Sequence, residues 1–251
     1  MTLETLAIFD LDETLVRGDT ASLFCRFMVD TGLADGTFVD QEQELMQRYA
    51  DETLSMPEYV AFMLKPLRHI PAAEVQALMP AFIDGYVRHR IYPQARALIQ
   101  HQREKGRFPL IISATPAFLV QAVAGELGVA DVLAIDLELS ERGRYTGAIE
   151  GIATYREGKV SRLHAWLEQQ QKTLDGARFY TDSINDLALL EQVDSPFATN
   201  PDERLTKIAE RRGWPILRWD DPENICFVQG TAPRDSVTPR SNIPETANTG
   251  R

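Results

Sequence analysis

The feature that most constrains this chain is a short apolar run, Leu6-Ala-Ile-Phe9, that ends abruptly in Asp10-Leu-Asp12. The run is apolar at every position, without the alternation of a half-exposed strand. It predicts a strand covered on both faces, as in a parallel α/β sheet. The same reading applies at 109–113, 132–135, 177–181, 197–199 and 215–219, and helix-like stretches at 94–105, 160–170 and 202–212 fall among these runs. Strands alternating with helices predict a doubly wound, Rossmann-like parallel sheet. In such sheets chemistry gathers just outside the carboxyl ends of the strands, where Asp10, Ser113 and Asp182 fall.

Between Gly18 and Pro93 the character changes. Helical periodicity at 22–31, 41–50, 56–67 and 72–90, with no strand-like run between, predicts an all-helical insert over 19–92. It interrupts a core made of 1–18 and 93–228. Residues 135–149, around Glu141-Arg-Gly143, read as a β-hairpin. From Gln229 the chain turns to Pro, Thr, Ser, Asn and Arg without aromatics, which predicts a disordered tail over 229–251.

A length of 251 residues suits one large domain with an insert. A hydrophobic share of 44% and a charged share of 25% exclude wholesale disorder. The net charge of −11 argues against nucleic acid or an anionic membrane as partner, but a local cation still permits an anionic substrate. Two cysteines, Cys25 and Cys226, make no disulfide framework. With no basic leader and no apolar run of about 20 residues, the expectation is a cytoplasmic protein with no membrane partner. No heptad appears, so the oligomeric state is left open.

Four short segments carry chemistry. Two carboxylates, Asp10 and Asp12, at the exit of a buried strand are costly, and Mg²⁺ is a natural compensation because it takes one or two carboxylates plus water and phosphate. The same residues also suit a helix cap. Ser113, before backbone amides that enter a helix, offers an anion site or a plain N-cap. Lys159 is either a phosphate partner or a solvated charge. Thr181-Asp182-Ser-Ile-Asn185-Asp186 again sets two carboxylates at a strand end, four residues apart, for a site or for capping.

In this order (Asp-x-Asp-x-Thr, a strand-terminal Ser, a Lys, then Asp-Ser-x-Asn-Asp) the segments closely resemble the four motifs of the haloacid dehalogenase superfamily of phosphatases. The large helical insert lies between the first and second motifs, which resembles the branch containing phosphoserine phosphatases, with an all-helical cap after the first strand. Tyr180-Thr-Asp-Ser-Ile-Asn-Asp-Leu and Glu210-Arg-Arg-Gly-Trp-Pro are similar to bacterial histidinol-phosphate phosphatases.

The resemblance implies an Mg²⁺-dependent hydrolase of a small phosphomonoester, working through an aspartyl-phosphate. Asp10 is then the nucleophile and Asp12 the general acid and base. Asp10, Asp12 and Asp182 hold the metal. Ser113, Lys159 and Asn185 bind phosphate, while Asp186 and Thr14 support the site from behind. Asp19 stands where the phosphoserine-phosphatase branch places an amine-binding Glu, and Lys65 and Arg68 are candidates to meet a substrate carboxylate. Histidinol phosphate is the first substrate expected, with O-phosphoserine or phosphotransfer to another acceptor as alternatives. A phosphate-binding regulatory module without turnover is the reading from another class.

Overall fold

The computed structural model describes residues 5–50 and 53–219. β1 (Leu6–Phe9) is fully buried, as its continuous apolarity predicts. The chain then leaves for the insert: α1 (Thr20–Asp30), α2 (Thr37–Ala50), α3 (Met56–Met63), a 3-10 turn Lys65–Leu67, α4 (Ala72–Ala77) and α5 (Met79–Phe82). It returns to the core through α6 (Pro93–Glu104), β2 (Phe108–Pro116), α7 (Ala117–Glu126) and β3 (Asp131–Ile135). A hairpin of β4 (Leu137–Leu139) and β5 (Tyr145–Ile149) follows, then α8 (Glu157–Gln170) and β6 (Arg178–Thr181). The last elements are α9 (Leu187–Leu190), β7 (Ser195–Thr199), α10 (Glu203–Arg212) and β8 (Ile216–Leu217).

Six strands form one sheet in the order β3-β2-β1-β6-β7-β8, and every neighbouring pair is parallel. β1 is the pivot. Ala7 and Phe9 face an apolar layer shared with α7 and the insert, whereas Leu6 and Ile8 face Leu163, Leu167, Leu189 and Leu205 on the other side. Period-2 alternation is present, but both faces are apolar because both are covered. Phe9 stacks on Tyr180 at 5.0 Å and Tyr180 on Phe197 at 4.6 Å, so three central strands are locked together beside the ends that carry the carboxylates.

The insert is a helical cap packed on its own aromatic cluster, in which Phe24 and Phe27 meet the edge or face of Phe82 at 5.2 and 5.6 Å. Its two connections to the core run side by side. Arg17 donates its backbone N–H to the Arg90 carbonyl at 2.9 Å and Tyr92 donates to Leu15 at 3.1 Å, with Val16 paired antiparallel to Ile91. A second tie joins the cap to the hairpin, where Ala72 N–H donates to the Gly143 carbonyl at 2.8 Å and Pro71 pairs with Arg144.

Two sequence expectations need correction. The stretch 72–90 is not one helix. It breaks into α4, α5, a π-helical turn Ile83–Val87 and a 3-10 turn Arg88–Arg90. Pro80, in the first turn of α5, has no N–H to continue the preceding helix. The second strand does not stop at Ser113 but continues to Pro116, with its register against β3 shifted between Ile112 and Pro116. Such an irregularity re-aims side chains beside a site. Among the described residues no helix is long and apolar enough to cross a membrane. Cys226 and the expected tail over 229–251 lie outside the described residues.

Candidate active site

Asp10 is the first residue beyond β1 and is only 7% exposed. It survives there because Lys159, in the first turn of α8, places Nζ 2.7 Å from Asp10 Oδ1 and 2.7 Å from Asp186 Oδ2. Asp186 also accepts from Thr181 Oγ1 at 2.7 Å. Gly158 is needed for this placement, since a Cβ there would collide with the Ala153 carbonyl that folds over the start of α8. Burial works hardest against the Lys159 charge, yet Asp10 and Asp186 together raise its pKa above the ordinary value. Asp10 itself is raised to about 7: burial dominates, Lys159 opposes it, and the charges of Asp186 and Asp12 add to it.

Asp12 turns the other way. Its Oδ1 accepts the backbone N–H of Thr20 at 2.7 Å and its Oδ2 accepts Thr115 Oγ1 at 2.7 Å, with Ser113 Oγ at 3.5 Å. Burial, then the charge of Asp19, push its pKa up to about 6, against the bonds from Thr20 and Thr115. Between Asp12 and Thr14 the backbone passes through a left-handed turn at Glu13, with φ of 54°. That turn brings Thr14 onto Asp182: Thr14 Oγ1 accepts the Asp182 N–H at 2.9 Å and lies 3.2 Å from Asp182 Oδ1. Asp182 is raised well above the carboxylate range by burial, then by Asp10 and Asp186, despite Lys159.

These groups surround a cavity of about 280 Å³ at the carboxyl end of the sheet, beside the point where successive strands diverge to either side of β1. Asp10, Asp12, Ser113, Lys159, Asp182, Asn185 and Asp186 line it from the core, and Asp19, Met46, Met56 and Tyr59 from the cap. Asp19 caps α1, accepting the Ser22 N–H at 2.7 Å. Thr14 lies behind the cavity as the partner of Asp182.

Lys65 and Arg68 are not brought to the cavity. Both are exposed, and Arg68 packs its guanidinium over Gly147 of the hairpin. Asp10, Asp12 and Asp182 line the same cavity. Among the described residues no three acidic, His or Cys side chains converge as a metal cage, and the Asp12 oxygens accept from Thr20 and Thr115.

The family of haloacid dehalogenase-like hydrolases matches residues 7–191. The chain belongs to that family. A histidinol-phosphatase of Neisseria meningitidis is 34% identical over 221 residues, which cover 86% of this chain and all of the relative. A phosphoserine phosphatase of Mycobacterium tuberculosis is 30% identical over 223 residues, covering 85% of this chain and 70% of the relative. A solved structure of a Bordetella pertussis protein of unknown function superimposes with a TM-score of 0.81 at 34% identity, covering 87% of this chain and all of that one. This haloacid dehalogenase-like chain is therefore an enzyme of the phosphoric monoester hydrolase class.

Phosphatases of the haloacid dehalogenase family generally use Mg²⁺, and the donor set here fits that ion. Asp10 and Asp182 are hard oxygen donors, both raised in pKa by burial and by neighbouring carboxylates, with Lys159 opposing. Mg²⁺ keeps several waters and needs only one or two carboxylates, so a three-carboxylate cage is not required.

Several residues at the site escape sequence reasoning. Thr115 holds Asp12, and Tyr59 forms the far wall. Glu42 on α2 is 4% exposed and accepts from Ser22 Oγ at 2.6 Å and Tyr59 OH at 3.2 Å. An acid on a cap helix looks in sequence like any solvated charge. Thr115 alone carried a signal, two residues after a strand-end serine, where an extended chain puts both on one face.

Proposed function

We propose that the enzyme hydrolyses a small, amine-bearing phosphomonoester that lacks a carboxylate, with histidinol phosphate as the first candidate. Asp10 attacks phosphorus in line and becomes the aspartyl-phosphate. Asp12 protonates the departing alkoxide and then takes a proton from the hydrolytic water; a group exchanging its proton near neutrality serves both directions. Ser113, Lys159 and Asn185 hold the phosphoryl oxygens, and Asp186 keeps Lys159 charged and aimed. Asp10 and Asp182 hold Mg²⁺, which supplies charge neutralisation at the phosphoryl group.

The observation that carries the substrate class is the charge around the leaving-group end of the cavity. Asp19 faces it with Glu42 behind, and burial and the Glu42 charge raise the Asp19 pKa. A substrate ammonium relieves that repulsion. The basic residue lining the cavity among those described is Lys159, already bonded to two carboxylates. Among the described lining residues a substrate carboxylate finds no second cation, and Arg156 beside the cavity is bonded to Asn185 at 3.2 Å, which favours an amino-alcohol phosphate over O-phosphoserine.

The test is phosphate release, with Mg²⁺ and with chelator, from histidinol phosphate, O-phosphoserine and a neutral alcohol phosphate. Metal-dependent release led by histidinol phosphate is expected. Preference for O-phosphoserine overturns the charge argument, and preference for the neutral ester removes the amine. Phosphate passed to an acceptor instead of water makes the enzyme a phosphotransferase.

A further inference from the structure

The loop between β7 and α10 lines no part of the cavity, yet it grips two of the loops that do. Asn200 stands just beyond β7 with a left-handed φ of 49°, a conformation Asn tolerates better than most residues. Its carboxamide faces two ways. Nδ2 donates to the Glu13 carbonyl at 3.1 Å, and Oδ1 accepts the Trp219 N–H at 2.8 Å. The Asn200 N–H donates to the Leu217 carbonyl at 2.7 Å, so the residue is anchored to the end of β8 while it holds the Glu13 turn.

Two residues on, Asp202 does the same for the other loop. Its N–H donates to the Asp182 carbonyl at 2.8 Å, its Oδ2 accepts the Ile184 N–H at 2.8 Å, and its Oδ1 accepts the Leu205 N–H at 2.7 Å as the cap of α10. The Glu13 turn sets the direction of Asp12 and Thr14. The segment from Asp182 to Ile184 sets the direction of Asp182 and Asn185.

We infer that Asn200 and Asp202 are positioning residues, a clamp that fixes the spacing between the loop carrying Asp10 and Asp12 and the loop carrying Asp182 and Asn185. The direct Thr14–Asp182 contact joins the loops at one point; the clamp bonds each of them to a third element. The inference rests on the proposed function, in which those four residues are the reacting, metal-holding and phosphate-holding groups. Outer partners of this kind are worth about 10–100-fold in activity or metal affinity, and a misplacement of about 1 Å costs a similar factor.

A purely structural role for the loop, as the cap of α10 and the end of the sheet, makes a different prediction, and two variants separate them. Asn200→Gly keeps the left-handed backbone and removes the bond to Glu13. Asp202→Ser keeps an N-cap for α10 and cannot also reach Ile184. The measurements are kcat and KM with p-nitrophenyl phosphate at saturating Mg²⁺, and the Mg²⁺ midpoint from thermal-shift titration with MgCl₂ alone.

The clamp predicts that kcat falls about 10-fold or more and the Mg²⁺ midpoint rises by about the same factor, with KM changed less than about threefold. A kcat and a midpoint both within about twofold of wild type, whatever happens to Tm, overturn it. The variants loosen different loops, so a folding failure in one leaves the other to decide. Asp202→Asn, which keeps the size and one acceptor, is the milder third test and should show an intermediate loss. If wild type shows no Mg²⁺ response, the metal assignment fails and the kcat ratios alone decide the clamp.

Discussion

Thr20, the first residue of the cap's first helix, donates its backbone N–H to Asp12 Oδ1 at 2.7 Å. The Asp12 carboxylate, the proposed acid and base, is thus held from the cap side by Thr20 and from the core side by Thr115 Oγ1, also at 2.7 Å. Hydrogen bonds to the ionised form lower a carboxyl pKa, so both oppose the burial that raises Asp12 to about 6.

Thr115→Val removes one of those bonds at nearly constant shape. The Asp12 pKa should rise further, and the alkaline side of the kcat/KM profile, where Asp12 must still carry the proton it gives the alkoxide, should move to higher pH. A charged hydrogen bond is worth about 1.5–3 kcal/mol, so kcat should drop roughly 10-fold or more. A pH–rate profile of the variant checks both; an unmoved profile removes Thr115 from any part in tuning Asp12.

Asp10→Asn should leave the fold intact and abolish turnover, because an amide cannot serve as the nucleophile. Phosphate release should fall by at least about 10³-fold, with circular dichroism unchanged. Mass spectrometry excludes reversion by deamidation. Full activity in an intact variant sinks the nucleophile assignment.

Stability should depend on pH in a direction set by the same buried acids. Asp10 and Asp12 have folded pKa values of about 7 and about 6 against an ordinary 3.8. Groups raised in this way contribute stability that is full below the ordinary pKa and is lost as pH rises through 6 and 7. Metal-free protein should therefore lose Tm between about pH 4 and 7. Mg²⁺ binds the ionised forms, so its stabilising shift should grow over that interval. Thermal melts with MgCl₂ and with chelator test this, and a shift that shrinks with pH contradicts it.

Asp19→Asn keeps the N-cap on α1 but removes a charge from the cap wall of the cavity. KM for an amine-bearing ester should rise about 10-fold, the loss of one charge-assisted contact. KM for p-nitrophenyl phosphate should stay put. Equal effects on both substrates would show that Asp19 serves only as a cap.

Much of the site was legible because its parts are local. The apolar run of β1 ending in Asp10 declares a buried strand and a reactive end, and the acidic pair after β6 repeats the message. Ser113 and Lys159 became informative only through their order along the chain. What was not legible depends on tertiary placement. Lys65 and Arg68 do not line the cavity, and Arg68 lies over a hairpin glycine 79 positions later in the chain at Gly147. The break of 72–90 follows from Pro80, yet nothing local says that the chain continues winding through a π turn instead of leaving the helix. Spacing alone also cannot reveal that Thr20 and Thr115 hydrogen-bond the Asp12 carboxylate.

The cap enters and leaves the core through the paired segments at Val16 and Ile91, so its two ends lie side by side. A module attached in this way can be replaced with little cost in chain closure. The bridge from Pro71 to Arg144 and the bond from Ala72 to Gly143 add a condition. A graft that carried only the helices would land on a foreign hairpin. On the proposed reading, in which the cap faces the leaving group, the unit to exchange is discontinuous, the helical insert together with β4 and β5, and a chimera that changes its substrate should exchange both at once.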